Sequence, residues 1–341
     1  MSDDEGIRRP CVRVPREQGE RVRRQLAEAG VLDEEFAIGR GDGVLYLPVT
    51  DPLAAGNLGL DPDLDPTVVD HRVERRRAQT TPSDLLEFSP TYERLGDVAI
   101  VDEDDPDRAR RTADAIVASD IPVETAINRA SRIKGDERVR DWELLVGEDT
   151  ETVHREYGCE YLVDVTEVYF SPRLATDRHR VARQVRDGER AFDMFAGVGP
   201  FAIPFAKRGA EIVAVDLNER AIEYLRENLR RNGVEDAVRA VHGDVREVAV
   251  DYTDRVDRIV MNLPHTADEF LNVAASVAGD ECVIHYYDIQ DETNPFGPGE
   301  RAIRAATDPD YDVAVETRRV VRSYSPHEVN VRLDARLTRR V

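Results

Sequence analysis

The carboxyl-terminal half of the chain predicts an α/β fold built on a Rossmann-like, doubly wound parallel sheet. Apolar segments of strand length alternate with helical segments from about residue 173 onward, and a glycine-rich turn joins the first strand to the first helix. The helix after Asp216 is marked most clearly, because Asn218 can cap it and its apolar residues recur on one face. The predicted strands cover residues 190–193, 211–216, 238–242, 258–262 and 282–287.

Two smaller regions precede this sheet. Residues 1–55 predict a small α/β module, with a strand around Val12 and Val14, a helix over 19–29 and a strand over 43–49. Residues 56–75, which are rich in Pro and Asp, predict a linker, although the same mixture suits a loop packed on the surface. Residues 76–170 predict an α+β middle domain, and 171–341 form the Rossmann-like domain. In the middle domain we expect strands over 98–101, 123–130, 142–147 and 161–170 and a helix over 105–119.

The charge of the chain is strongly negative but does not exclude a nucleic-acid partner. The formal net charge is -22, and of 47 basic residues only Lys134 and Lys207 are lysines. Abundant acids with arginine in place of lysine are typical of proteins adapted to very high internal salt, where the acidic surface maintains solubility. In about 1 M salt the Debye length is only about 3 Å, so long-range repulsion of phosphates is largely screened.

The cysteines and the apolar segments indicate a reduced, cytoplasmic protein. Cys11, Cys159 and Cys282 are far apart and form no C-x-x-C pair, which predicts neither a metal site nor a nucleophilic thiol. The amino terminus is acidic rather than signal-like, and no apolar run reaches membrane-spanning length. We therefore expect no metal and no membrane partner.

The glycine-rich turn, residues 193–199, is a candidate cofactor loop. Gly197 and Gly199 would let the backbone turn sharply and approach a ligand closely. The run also fits a loose G-x-G-x-x-A pattern, so a dinucleotide site is a rival interpretation. A second rival interpretation is a strand–helix turn that binds no ligand.

Polar residues at consecutive strand ends favour S-adenosylmethionine. Asp193 would repel a pyrophosphate but could place a cationic sulfonium, and Asp216 is spaced to accept both ribose hydroxyls. Asp244 could accept from the adenine amine, and Asn262 ends the fourth strand at the crevice where such folds react. Each of these four residues alone could be a solvated loop residue, but the four together indicate a cofactor site. The pocket is expected to include Phe195, Leu217, Asn218 and Val245.

The segment Asn262-Leu263-Pro264 bears on the atom that is modified. It is similar to the (N/D)-P-P-(Y/F) signature of amino-methyltransferases, but Leu263 and His265 replace the second residue and the aromatic. This departure favours a ring nitrogen over an exocyclic amine.

Three blocks resemble the archaeal and eukaryotic tRNA guanine-N1 methyltransferases, which act on guanosine 37. The blocks are residues 168–178, 193–201 and 261–264, and the resemblance extends over almost the whole chain. It implies a class I S-adenosylmethionine-dependent methyltransferase domain, tRNA as partner, and an N-terminal module that contacts the outer corner of the tRNA. With the composition, it suggests a haloarchaeal member that acts as a monomer.

The resemblance also implies roles for individual residues. Guanine N1 carries a proton at neutral pH, so its methylation needs a base, and negative charge grows on O6 as the proton leaves. The base of the family is a glutamate after S-P-R-L-x-T, a position that Asp177 occupies here, one methylene shorter. Asp177 would act directly or through water; a helix N-terminal acid is the alternative. The O6-binding arginine corresponds to Arg138, with Arg140 as the neighbouring candidate, although either could be a surface arginine.

The remaining implied contacts surround the target base. Tyr169 would pack against it unless it is a core tyrosine, and Asn262 and Pro264 would hold its edge. Arg173 and Arg138 would contact tRNA, and Arg178 would reach the methionine moiety of the cofactor.

Three other functions remain open. A wyosine-pathway enzyme could transfer an aminocarboxypropyl group from the same cofactor, although the intact Asn262–Pro264 segment opposes this. Another branch methylates the tricyclic base as well as guanosine 37. A non-catalytic RNA-binding protein would not need the acids and glycines of the loop.

Overall fold

The computed structural model describes residues 6–52, 67–76, 79–131 and 141–341. The chain divides into two compact units, Met1–Gln79 and Thr80–Val341. No helix in the described part of the chain is both long and apolar enough to span a membrane.

The first unit contains a four-stranded antiparallel sheet of order β2-β3-β1-β4 and a ten-residue helix that packs against it. Val12 and Val14 of β1 pack against Val22 and Leu26 of the helix, as the apolar spacing predicts. The elements are β1 (Ile7–Pro15), α1 (Gly19–Glu28), β2 (Gly39–Gly41), β3 (Val44–Pro48) and β4 (Thr67–Val73).

The structure corrects the predicted linker over 56–75. Thr67–Val73 forms β4, which pairs along its whole length with β1, so this segment belongs to the first unit. The strand lies at the edge of the sheet, and most of its side chains are exposed. Its polar residues therefore conceal the apolar alternation on which a strand prediction depends. Residues 56–66 of the predicted linker lie outside the described residues.

The second unit begins with the predicted α+β region. Its sheet has the order β5-β6-β7-β8, and α2 connects the parallel strands β6 and β7. Asp105 caps α2 by accepting the N–H groups of Asp107 and Arg108. The elements are β5 (Tyr92–Leu95), β6 (Val98–Val101), α2 (Pro106–Ala118), β7 (Thr125–Arg129) and β8 (Trp142–Val146).

A hairpin leads from this region into the Rossmann-like part. It consists of β9 (Glu151–Glu156) and β10 (Cys159–Asp164). The strand predicted over 161–170 ends at Asp164, because the Asp164 carboxylate accepts from the backbone N–H and hydroxyl of Thr166 and closes a turn.

The main sheet has seven strands in the order β13-β12-β11-β14-β15-β17-β16. The five predicted strands are parallel, and two antiparallel strands that were not predicted extend the sheet beyond β15. The strands are β11 (Arg190–Asp193), β12 (Glu211–Asp216), β13 (Val238–His242), β14 (Val256–Met261), β15 (Ala278–Asp291), β16 (Tyr311–Ser325) and β17 (Glu328–Arg339).

Helices cover both faces of this sheet and leave the carboxyl edge of its parallel strands for a site. Apolar residues of α3, α4 and α5 form one core layer, and those of α7 and α8 form the other. The helices are α3 (Ala175–Ala182), α4 (Ala202–Ala206), α5 (Glu219–Asn232), α6 (Val245–Val248), α7 (Leu271–Val277) and α8 (Gly297–Thr307).

Candidate active site

The glycine-rich loop lies between β11 and α4 and is fixed by its neighbours. The Ala196 N–H donates to the Val215 carbonyl at 2.8 Å. Gly197 and Gly199 have φ values of +52° and +95°, which favour glycine. A Cβ on Gly199 would also lie 2.6 Å from Leu225 Cδ1. The loop therefore needs glycine for both its conformation and its packing.

Asp216 ends β12 and orders this loop. Its carboxylate accepts the Gly197 N–H at 2.6 Å and the Asn218 N–H at 2.9 Å, one on each oxygen. A carboxylate oxygen can accept more than one hydrogen bond, which binding of a hydroxyl by Asp216 would require. Asn218 caps α5 as predicted, because its side chain accepts the Arg220 N–H at 2.9 Å.

Asp193, at the end of β11, is a buried carboxylate without a matching cation. It is 2% exposed, and neither oxygen has an aligned hydrogen-bond partner among the described residues. Burial raises the pKa of Asp193 to about 8; the negative charge of Asp216 adds to the shift, and the Phe195 N–H opposes it. Buried polar groups are normally paired, so this carboxylate fits a cationic ligand.

The next strand ends supply an apolar surface and a third carboxylate. Leu217 is 45% exposed directly after Asp216, and Phe195 packs edge-on against Phe270 with ring centroids 5.0 Å apart. Asp244 caps α6, and its hydrogen bonds to Arg246 lower the pKa of the carboxyl group. Val245 is buried. A planar, apolar group with a polar edge could lie here.

Asn262 and Pro264 follow β14 at the same edge. The Asn262 Oδ1 atom is buried and has no hydrogen-bond partner in the described part of the chain. His265 has a φ of +82°, and its Nε2 lies 3.3 Å from the Tyr324 hydroxyl. An unpartnered amide oxygen in this position can accept a hydrogen bond from a ligand.

Asp177 lies on α3 and faces the antiparallel strands. The Tyr287 hydroxyl donates to its Oδ2 at 2.8 Å, while Arg332 Nη1 and Arg319 Nε lie 2.7 and 3.0 Å from Oδ1. Tyr287 follows Tyr286, which pairs with Met261, the residue before Asn262. The register therefore places Asp177 near the same edge of the sheet as Asn262.

Sequence reasoning missed Tyr287, Arg319 and Arg332. A signal was present, because Val329–Leu337 alternates apolar and polar residues as a strand does, and Arg332 and Asp334 are among its polar members. A strand that buries charges needs partners for them, which indicates a polar cluster.

The residues predicted to contact the target base or the tRNA differ in their surroundings. Tyr169 is 38% exposed, and its carbonyl faces Gly197. Arg173 is half-exposed and forms an ion pair with Glu93. Arg138, and Arg140 as its alternative, lie outside the described residues.

The structure does not support the cofactor contact expected of Arg178. Its guanidinium is buried, forms two hydrogen bonds with Glu156 at 2.9 and 2.6 Å, and donates to the Ser171 carbonyl at 3.0 Å. The side chain instead holds α3 against the β9–β10 hairpin, and the Glu156 carboxylate compensates its charge.

The chain matches three family models over successive segments. Residues 11–55 match the tRNA methyltransferase 5 N-terminal domain, 77–150 the TYW2 N-terminal domain, and 152–315 the TRM5/TYW2 methyltransferase domain. A tRNA (guanine(37)-N(1))-methyltransferase Trm5b from Pyrococcus abyssi is 40% identical over 334 residues, covering 96% of this chain and 99% of the relative. The chain belongs to the TRM5/TYW2 methyltransferase family.

Two further members of the TRM5/TYW2 family show its range. The solved structure of the complex of aTrm5 and tRNALeu is similar with a TM-score of 0.70 and 30% identity, covering 96% of this chain and all of that one. A tRNA(Phe) (4-demethylwyosine(37)-C(7)) aminocarboxypropyltransferase from Pyrococcus horikoshii is 32% identical, covering 78% of this chain and 96% of the relative.

Within the described ranges, no group of His, Cys, Asp and Glu residues is arranged to hold a metal ion.

The Asp193 carboxyl group should make the stability of the ligand-free protein depend on pH. Its pKa of about 8 in the folded state lies above that of an unfolded aspartate, about 3.9. The resulting contribution to stability is complete below pH 4 and is lost as the pH rises through about 8, by up to about 1.4 kcal/mol per pH unit. The variant Asp193→Asn should lack this dependence, as denaturant unfolding at pH 5.5, 7 and 8.5 in high salt would show. Parallel pH profiles for the two proteins would contradict the assignment.

Proposed function

We propose that the chain transfers a methyl group from S-adenosylmethionine to N1 of guanosine 37 in tRNA. The observation that carries this conclusion is the 40% identity to a guanosine-37 N1-methyltransferase over 96% of the chain, including the N-terminal module. A methyltransferase family and a tRNA-bound structural relative support the cofactor and the partner. Action as a monomer in the cytoplasm belongs to the proposal as an expectation.

The glycine-rich loop and its acids fit the cofactor. S-adenosylmethionine supplies a methyl group made electrophilic by its sulfonium. Asp193 would balance the positive charge of the cofactor, and Asp216, which ends β12 beside the loop, would accept the ribose hydroxyls. Leu217 and Phe195 would flank the adenine, and Asp244 and Val245 would close its edge.

Asp177 would remove the N1 proton. Its Oδ2 accepts one hydrogen bond, from Tyr287, so a lone pair of this oxygen remains to take the proton from guanine N1. As the proton passes from N1 to this oxygen, the N1 electron pair forms the bond to the methyl carbon. The carbon–sulfur bond breaks, its electron pair stays on sulfur, and the sulfonium becomes a neutral thioether. The two arginines lie beside Oδ1, so Oδ2 is the oxygen available to take the proton.

The target guanine would be held by its edge. The unpartnered Asn262 Oδ1 can accept from the guanine amine, and the Pro264 carbonyl would provide a second acceptor. Tyr169 would pack against the base, and Arg173 would contact a tRNA phosphate. Arg138 stays in the proposal as an O6 donor on the family resemblance alone.

An aminocarboxypropyl transfer is the second candidate function. The relative that catalyses it is 32% identical and covers 78% of this chain, which is less than the guanosine-37 N1-methyltransferase covers. The match of residues 11–55 to the methyltransferase 5 N-terminal domain favours N1 methylation.

Mass mapping of nucleoside 37 tests the activity directly. Transcripts with guanosine or adenosine at position 37 should be incubated with S-adenosylmethionine in high salt. We expect 1-methylguanosine in the first transcript and an unmodified second one. An added aminocarboxypropyl group, a different methylguanosine isomer or no product would contradict the proposal.

Replacement of Asp177 by Asn tests the base, because it removes the proton acceptor with little change of shape. The variant should bind S-adenosylmethionine and tRNA normally and transfer the methyl group about 100–10,000-fold more slowly. Single-turnover rates across pH should also show that the acid limb is lost. Asp177→Glu is the matched control, since it restores a carboxylate and should retain activity. An Asn variant with wild-type rates would place the base elsewhere.

A further inference from the structure

Several buried polar atoms at or near the carboxyl edge of the main sheet have no aligned hydrogen-bond partner among the described residues. Asp193 and Asn262 already have proposed ligands, but the Nε atom of Arg319 does not. A buried guanidinium N–H without an acceptor is costly, so a cluster of this kind indicates a polar ligand.

Arg319 differs from the other arginine beside Asp177. Arg332 is 3% exposed and lies between two carboxylates, with Nη1 2.7 Å from Asp177 and Nε 2.8 Å from Asp334. Burial opposes ionisation of Asp334, but the His285 hydrogen bond and the Arg332 charge hold the pKa of this carboxyl well below its usual range. Arg332 therefore keeps an anionic partner whatever happens to Asp177.

Arg319 has no such second anion. It lies on the edge strand β16, its side chain is 37% exposed, and its one polar contact with a described residue is Asp177, 3.0 Å away. That contact is close but not aligned as a hydrogen bond. Because a guanidinium carries five N–H donors, Arg319 has donors available for a substrate.

The groups around Asp177 show what changes during the reaction. Tyr287 of β15, Arg332 of β17 and Arg319 of β16 face its carboxylate. On its own helix, the adjacent Arg178 is paired with Glu156. When Asp177 takes the N1 proton, its negative charge disappears, and negative charge grows on guanine O6 until the methyl bond forms. Of the two arginines, Arg319 would then have no anionic neighbour among the described residues.

We propose that Arg319 is a catalytic residue that donates to guanine O6 as the N1 proton moves to Asp177. This inference rests on the proposed function. The proton transfer moves negative charge from Asp177 towards guanine O6 before the bond to the methyl carbon neutralises it, and a guanidinium near both positions stabilises that charge until then. Arg319 would thus act with, or in place of, an arginine from the middle domain.

The test compares Arg319→Gln with Arg318→Gln in the full-length protein. Both changes remove one positive charge from the same strand, but Arg318 is paired with Glu300 of α8 and is half-exposed. Single-turnover methylation by Arg319→Gln should be about 10–1,000-fold slower. Its S-adenosylmethionine affinity should be unchanged. Arg318→Gln should stay within about twofold of wild type. Arg319→Lys keeps the charge and should recover part of the rate.

The outcomes separate this proposal from its alternatives. A normal single-turnover rate with weaker, salt-sensitive tRNA binding would make Arg319 a phosphate contact and overturn the proposal. An unchanged rate would overturn it as well. If Arg319→Gln unfolds, the Lys variant decides, because a wild-type rate there would leave no role for the planar donor fork. Failure of the wild-type protein to form 1-methylguanosine would instead reject the proposed function.

Discussion

The unpaired carboxylate of Asp193 is the constraint around which the cofactor end of the site is organised. It is buried at the end of β11, close enough to Asp216 for their charges to repel, and no cation of the described chain compensates it. The fold tolerates this cost because apolar layers on both faces fix the strand, and because Asp216 holds the glycine-rich loop in place. A cationic ligand relieves the cost, so stability given up in the free protein becomes binding energy for the cofactor.

The antiparallel pair β16–β17 makes the other end of the site. It brings Arg319 and Arg332 to Asp177, which lies more than 140 residues earlier in the chain. Behind Arg332, the buried Asp334 accepts from His285 Nδ1 at 2.7 Å, and Arg258 approaches the other ring nitrogen at 2.7 Å. Because Arg258 can only donate, His285 is neutral with its proton on Nδ1. This network of hydrogen bonds and ion pairs fixes the position of Arg332. Arg319 is not held by it and can change its partner.

The sequence allowed prediction where local chemistry sets the structure. The five parallel strands, the Asn218 cap and the glycine-rich loop follow from apolar periodicity and turn residues, and the fold has them. Strand β4 was missed because its partner β1 is distant in sequence and its exposed residues hide the alternation. The pair β16–β17 was missed although apolar residues alternate regularly over Val329–Leu337. The sequence marks charged residues on β17, but their contact with Asp177 is set by the tertiary structure, as is the pairing of Arg178 with Glu156.

Proton release on cofactor binding tests the central claim most directly, because the charge of Asp193 must change when a cation binds beside it. With a pKa of about 8, Asp193 is mostly protonated in the free protein at pH 6.5 and ionised in the complex. Calorimetry of S-adenosylmethionine binding in buffers of different ionisation enthalpy should give close to one proton released at pH 6.5 and almost none near pH 9.5. The Asp193→Asn variant should bind more weakly and release none at either pH. Binding to the wild-type protein without proton release at pH 6.5 would contradict the account.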